Sequence, residues 1–478
     1  MNIHEPAGTV PALAPDLLAR FATIVGDKYA ITDKDAQQPY LVEMRDLYHG
    51  RTSVVLRPGS VAEVSAILKL ANETRTAIVP QGGNTGLVGG QIPHRGEVVL
   101  SLNRLDKIRE IDPLSNTITV EAGCTLQKVR EAADAADRLY PQLLPSEGTC
   151  TIGGNLSTNA GGTAALVHGT ARSHALGLEV VLADGRVLNN LNKLKKDNTG
   201  YDLKNLFIGA EGTLGVITAA VLRLVPRPRA RETAYAGLAS PDATLKLLKL
   251  AEQRAGDGVT SFEIMTRMGI EAVIEHGPNV RDPLAKPYPW YALIELASQD
   301  SEGLRDTMES LLSDAIEQGI VLDATIADSL EQAKAFWFIR EFFGEVQRRI
   351  GASIKHDVSV PVAAVPAFIE EANAAVVKLI PGSRPLPFGH AGDGNIHYNL
   401  TQPVGADGKA FLARWDEVNA VVFEVVRKYN GSISAEHGVG VMKRDILPEF
   451  KDPVALDLMR TLKKTLDPNN ILNPGKVL

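Results

Sequence analysis

The chain has 478 residues, 44% of them hydrophobic, and a formal net charge of -7 from 50 basic and 57 acidic side chains. That length exceeds what one core usually organises, so two or three domains are expected, and the acidic balance excludes a basic field able to hold a nucleic-acid backbone. Cys124 and Cys150 lack metal-ligand spacing, which fits a reducing compartment and excludes a disulfide framework, and no run of about 18 apolar residues is present to span a bilayer. The opening MNIHEPAGTVPALAPDLL has no basic start before an apolar run and no Arg-rich amphipathic character, so the expected location is cytoplasmic.

In chain order, Leu17, Leu18, Phe21 and Ile24 lie at helical spacing within 1–45, which is expected to be an accessory helical cap. The run SVVLRP reads as a strand, and Ser60 with Glu63 forms a capping box that starts a helix through about Asn72. A strand TAIVP, ending at Pro80, delivers the loop Gln81 to Gly90, which carries Gly82, Gly83, Gly86, Gly89 and Gly90. Glycines there permit positive φ and let successive amides converge on an anion such as a pyrophosphate, although the spacing matches neither the P-loop nor the dinucleotide fingerprint. Further expectations are short strands, a helix over 127–137, and a hairpin turning at Asp184-Gly185.

Two more glycine-rich segments follow. Residues 145–162, including Ser146, Gly148, Thr149, Gly153, Gly154, Asn155, Ser157, Thr158, Gly161 and Gly162, are too small to fill a core, yet Ile152 and Leu156 are interleaved as anchors. An ordered run of that kind lets backbone pass against a ligand. The segment Ile208 to Ile217, with Glu211 and Gly212, repeats the pattern before a β-rich stretch. After Val225-Pro-Arg-Pro-Arg the character becomes more helical, with helices expected near 243–255, 303–319, 330–350, 363–380 and 410–429 around strands such as WYALIELA, an α+β pattern. The tail LDPNNILNPGKVL mixes turn formers with apolar residues and is expected to dock on the body.

The sharpest chemical signal is Gly389-His390 through His397-Tyr-Asn399. On a helix the two imidazoles would be ~10 Å apart, too far for one ion. A two-residue hairpin turn at Asp393-Gly394 would pair 392 with 395 and set His390 opposite His397, with Cβ atoms ~5 Å apart, close enough to share a cation. Glu436-His437, flanked by Gly438 and Gly440, offers a carboxylate and an imidazole, either of which could complete the site; both can do so only if those glycines bend the chain. Imidazole and carboxylate donors fit zinc best, and manganese or iron could substitute. Arg340, in a helix, has a fork suited to a carboxylate, and Lys355, in a strand, adds a point charge.

The three glycine segments together resemble the FAD-binding domain of the vanillyl-alcohol oxidase / p-cresol methylhydroxylase superfamily, and over 45–478 the chain resembles its D-lactate and D-2-hydroxyglutarate dehydrogenase branch. The resemblance implies an α+β protein: a PCMH-type FAD domain of two α/β subdomains over 46–226, a substrate- and metal-binding domain with antiparallel sheet over 227–440, and a segment 441–478 returning to the flavin. It implies that Gly82 to Gly86, with Asn84 and Thr85, grip the FAD pyrophosphate, that Ser146 to Gly162 follow the cofactor, that Glu211 to Ile217 approach its adenine or ribose, and that Asn473 reaches the isoalloxazine edge. Asn84 and Thr85 cannot tether flavin covalently, and Cys150 reads as a small buried thiol, so non-covalent FAD is expected.

The same resemblance implies that His390, His397 and Glu436 ligate a divalent metal, that His437 is the base, and that Arg340, Lys355 and Asn399 contact the substrate of a D-2-hydroxy-acid oxidation. Relatives acting on D-2-hydroxyglutarate typically carry threonine one turn after the arginine; here the position is Gly344, which argues against a long dicarboxylate and leaves D-lactate or another hydroxy acid open. The electron acceptor would be a quinone or an electron-transfer flavoprotein, and a homodimer is allowed. Two other classes fit part of the pattern: a flavin-binding electron-transfer subunit, and a flavin oxidase of an uncharged alcohol.

Overall fold

The computed structural model describes residues 12–478. They divide into two compact units: one comprises Thr163–Val167 with Pro228–Ala435, and the other the chain through Gly162, His168–Arg227 and Glu436–Leu478. Glu436 and His437, expected in the substrate domain, therefore belong to the unit that carries the glycine segments. The local reason is hydrogen bonding: Glu436 Oε2 accepts the Gly162 N–H at 3.2 Å, and the Glu211 carboxylate accepts from Val439 and Gly440.

Within the glycine-bearing unit, a four-stranded sheet runs in the order Ala30–Ile31, Val55–Leu56, Val98–Ser101, Ile78–Gln81, with the last two pairings parallel. The helix Val61–Thr74 crosses over between them, as the capping box requires. Ser60 accepts from Glu63 N, while the Glu63 carboxylate returns to the N–H of Gly59. Phe21 and Val25 of the helix Pro15–Val25 enter the same core as Val64, Ile67 and Leu68, so the expected N-terminal cap is a layer of this subdomain and does not stand apart. The second subdomain is a five-stranded antiparallel sheet, ordered Ile108–Asp112, Thr117–Glu121, Val216–Arg223, Ala175–Val181, Val187–Asn190. The hairpin at Asp184-Gly185 forms, with Gly185 at φ 86°. Ile152 and Leu156, on the short helix Ile152–Thr158, anchor the second glycine segment in the core beneath.

The other unit is a seven-stranded antiparallel sheet ordered Asp323–Ile326, Ala230–Leu238, Trp290–Ser298, Val259–Thr266, Arg384–His390, Asn395–Thr401, Ser353–Ser359. The helices Pro241–Ala255, Leu304–Glu317, Leu330–Ile350, Val365–Leu379 and Trp415–Lys428 fall where periodicity places them. A further helix, Arg267–His276, escaped the sequence reading because Gly269 lowers its propensity; a Cβ at Gly269 would lie 2.1 Å from the Phe343 ring, so the glycine lets this helix pack on Leu330–Ile350. Both helices cover one face of the sheet, burying Tyr235, Met265, Leu293, Leu386 and Phe388 with Ile339 and Phe343. Both cysteines are buried, and no helix among the described residues is long and apolar enough to cross a membrane.

Candidate active site and flavin cradle

Four strands of the seven-stranded sheet carry the polar residues of the candidate site on one face. Register pairs Lys355 with Asn399, Asp357 with His397, and His390 with both Asn395 and Glu263. Because strand side chains alternate, these residues share the face covered by the helix Leu330–Ile350. That helix contributes Arg340, Gly344 and Gln347 at spacings of four and three, hence one side of it. Lys355 Nζ donates to the Gly344 carbonyl at 3.2 Å, and Asn399 Nδ2 donates to Gln347 Oε1 at 3.0 Å. Asn399 is 3% exposed, and its Oδ1 accepts no hydrogen bond among the described residues.

The hairpin between the two histidines differs from the expected one. His390 pairs with Asn395 across a four-residue loop, and Phe388, not His390, stands directly opposite His397. A two-residue type I′ turn needs positive φ at both central positions, and of Asp393 and Gly394 only Gly394 has it, at 81°. Asp393 instead caps the turn by accepting the Asn395 N–H, and the Gly394 carbonyl accepts from Val360 N at 3.1 Å. The slip is two residues, so facing is preserved: the His390 and His397 rings lie 5.6 Å apart. Asp357, not foreseen as a ligand, sits across from His397 with ligand atoms within 4.8 Å.

Arg340 also differs from expectation. It is 7% exposed, and its Nε donates to Glu263 Oε2 at 2.6 Å, while Glu263 Oε1 accepts from His390 Nδ1 at 2.6 Å. Burial would raise the Glu263 carboxyl, but Arg340 and then His390 outweigh burial and hold it down to about 2. The arginine expected to be a plain substrate clamp is thus half of a buried ion pair, and only its terminal amino groups lie outside that bond. The Glu263 contact also assigns His390 its tautomer, with Nδ1 as donor and Nε2 as the nitrogen suited to a metal. Glu263 was missed, although a lone carboxylate in the apolar strand SFEIM signals a buried partner.

In the other unit, hydrogen bonds and close approaches join the three glycine segments. A Cβ at Gly83 would lie 1.9 Å from the Thr149 carbonyl, one at Gly82 2.3 Å from Thr151 Oγ1, and one at Gly212 3.0 Å from Pro80. Glu211 N donates to the Ser157 carbonyl at 2.8 Å. Asn473, from the tail, donates to the carbonyls of Gly90 and Glu211 at 2.9 and 2.8 Å. Ser146, Gly148 and Thr149 form the turn before the helix Ile152–Thr158, which carries Gly153, Gly154, Asn155, Ser157 and Thr158. Ile217 packs its side chain into the core with Ile152 and Leu156, leaving its backbone as the part able to face a ligand. The buried acceptors Gln81 Oε1, Asn84 Oδ1 and Asn473 Oδ1 have no donor among the described residues. Bare backbone beside orphaned acceptors fits a cofactor that carries phosphates and ring N–H groups.

In the unit that carries the glycine segments, Glu436 and His437 are neighbours, with His437 Nε2 3.7 Å from Glu436 Oε1. Gly438 at φ 85° and Gly440 at φ 52° provide the bend that brings adjacent side chains to one side.

The chain matches the model of an FAD binding domain over residues 52–190 and that of FAD linked oxidases, C-terminal domain, over 227–477. It is 40% identical over 476 residues, 99% of this chain and 83% of the relative, to a protein of Oryza sativa subsp. indica named probable D-2-hydroxyglutarate dehydrogenase, mitochondrial. The chain belongs to the FAD-linked D-2-hydroxy-acid dehydrogenase family. A second member, the D-2-hydroxyglutarate dehydrogenase of Xanthomonas citri pv. viticola, is 38% identical with 88% of each chain covered. Among solved structures, p-cresol methylhydroxylase with substrate bound shares the fold at TM-score 0.77 and 17% identity, covering 99% of this chain and 98% of that one.

This member of the family is therefore an FAD enzyme of the oxidoreductase class, with the α+β fold expected. The expected cytoplasmic location is withdrawn, since the rice relative carries a mitochondrial designation while the Xanthomonas one carries none. The weight placed on Gly344 also falls. Both of these relatives are named for D-2-hydroxyglutarate, and a Cβ at Gly344 would meet no atom within 4 Å, so packing does not impose a glycine there.

Proposed function

We propose that this chain oxidises a D-2-hydroxy acid, with D-2-hydroxyglutarate the first candidate, to the corresponding 2-oxo acid, and hands the electrons to a quinone or an electron-transfer flavoprotein. The observation that carries the reading is the polar sheet face of Lys355, Asn399, Asp357, His397 and His390, lying beneath the helix that bears Arg340. Two cationic side chains on one face suit an acid, and a dicarboxylate more than an uncharged alcohol. Arg340 orients a carboxylate through its terminal amino groups, with Glu263 fixing the plane of the fork. Asn399 supplies a buried acceptor for a substrate hydroxyl or a protonated group. His437 is assigned the role of base at the substrate hydroxyl.

When bound, FAD supplies the hydride acceptor and a divalent ion the Lewis acidity that favours loss of the hydroxyl proton. Donors that suit an ion such as zinc stand together on the sheet: His390 through Nε2, His397 and the in-register Asp357. FAD is held without a covalent bond, since Cys150 is 2% exposed, its thiol is pushed up by burial, and Asn155 donates to its sulfur at 3.7 Å.

The test is anaerobic reduction of the purified yellow protein by a panel of D- and L-2-hydroxy acids and uncharged alcohols. Bleaching by D-2-hydroxyglutarate and not by its L enantiomer is expected. Bleaching by alcohols alone would make this a flavin oxidase of another class, and bleaching by nothing would make it an electron-transfer subunit.

A further inference from the structure

Glu211 is 8% exposed and sits at φ 50°, in the left-handed region a non-glycine residue occupies only under constraint. Its carboxylate accepts two consecutive amides: Oε1 from Val439 at 2.7 Å and Oε2 from Gly440 at 2.9 Å. Consecutive amides converging after a positive-φ glycine form an anion nest, and here the chain's own carboxylate fills it. The resemblance expects this residue near the adenine or ribose, yet its carboxylate is committed to the amides two and three residues after His437.

The fit around the clip is close. A Cβ at Gly438 would lie 2.8 Å from Glu211 Oε1, and one at Gly90 3.0 Å from Oε2. The backbone of Glu211 is equally committed, its N–H to Ser157 and its carbonyl to Asn473 Nδ2, which also reaches Gly90. One residue therefore ties the His437 turn to all three glycine segments and to the tail.

We propose that Glu211 is a positioning residue, a carboxylate clip that sets the turn bearing His437 against the flavin cradle so that the imidazole is held at a fixed place relative to the bound isoalloxazine. The inference rests on the reading of His437 as the base. Losing the clip frees two amides, that of Gly440 buried and that of Val439 half-buried, and lets the turn shift, and a displacement of about 1 Å in a catalytic group costs on the order of 100-fold in rate.

The experiment uses the FAD-loaded full chain and two variants. In Glu211→Gln the shape is kept, but an NH2 group faces a peptide N–H, donor against donor. In Gly438→Ala the carboxylate stays, and the added Cβ pushes the turn away from it. Each is measured for FAD affinity, for the limiting rate and half-saturation of flavin reduction by D-2-hydroxyglutarate, and for amide hydrogen exchange at residues 438–441. Expected for both are FAD affinity within about threefold of wild type, half-saturation within about threefold, a limiting reduction rate lower by about 10- to 100-fold, and faster exchange at Val439 and Gly440. Faster exchange with reduction at the wild-type rate would overturn the inference, because the clip would then not serve the base. Unchanged exchange in both variants would overturn it too. If Glu211→Gln does not fold, Gly438→Ala decides alone. Wild-type flavin that no D-2-hydroxy acid reduces would instead sink the reading of the reaction, while the exchange data still judge the clip.

Discussion

Replacing Glu263 by Gln removes the charge from a carboxylate that is 0% exposed and holds two groups at 2.6 Å, Arg340 Nε and His390 Nδ1. Arg340, itself 7% exposed, would be left a buried cation without a counter-charge. Breaking a buried pair from one side costs about 3–5 kcal/mol, mostly the penalty of the stranded charge. For a unit of roughly 200 residues, at about 2–4 °C per kcal/mol, that predicts a fall in melting temperature of about 6–20 °C. Differential scanning calorimetry of wild type, Glu263→Gln, Arg340→Met and the double variant measures it. The double variant, which buries neither charge, should recover most of the loss and show a coupling energy of at least about 2 kcal/mol. The sign with pH follows from the folded carboxyl lying near 2, below the ordinary 4.5. The pair stabilises fully above pH 4.5, and its contribution disappears as pH falls toward about 2. A Glu263→Gln loss below about 1 kcal/mol, or a double variant no more stable than the single one, would refute the stranded-charge argument.

Replacing Gly83 by Ala puts a Cβ 1.9 Å from the Thr149 carbonyl, and the protein should purify largely without FAD; wild-type flavin content would count against the cradle. His437→Ala should keep its flavin and slow reduction by about 10²- to 10⁴-fold, whereas equal losses of FAD and rate would deny it the role of base. His397→Ala should bind metal at least about tenfold more weakly, as read by elemental analysis after chelator titration, and unchanged metal content would remove this imidazole from the ligand set. Burial lifts Glu211 to about 7 against the pull of the Val439 and Gly440 amides and Lys443. A carboxyl raised in the folded state contributes stability below its ordinary 4.5 that is lost as pH rises through about 7. Wild type should therefore lose up to about 3 kcal/mol relative to Glu211→Gln over that window; parallel melting curves would contradict it.

What the sequence alone determined is local. The Ser60–Glu63 capping box, the Asp184-Gly185 hairpin, the long helices of the second half and the glycine segments all depend on residues within a few positions of one another. Their torsions and hydrogen bonds are decided before distant chain arrives, and the shared face of His390 and His397 followed from strand alternation even though the predicted register was two residues off. Only the tertiary structure decided who holds whom. Glu263 meets Arg340 and His390 across 77 and 127 positions, and Glu211 clips amides 228 and 229 positions away. Such partners are selected by the cost of leaving a buried carboxylate or amide unsatisfied, and that cost exists only once packing has excluded water from both.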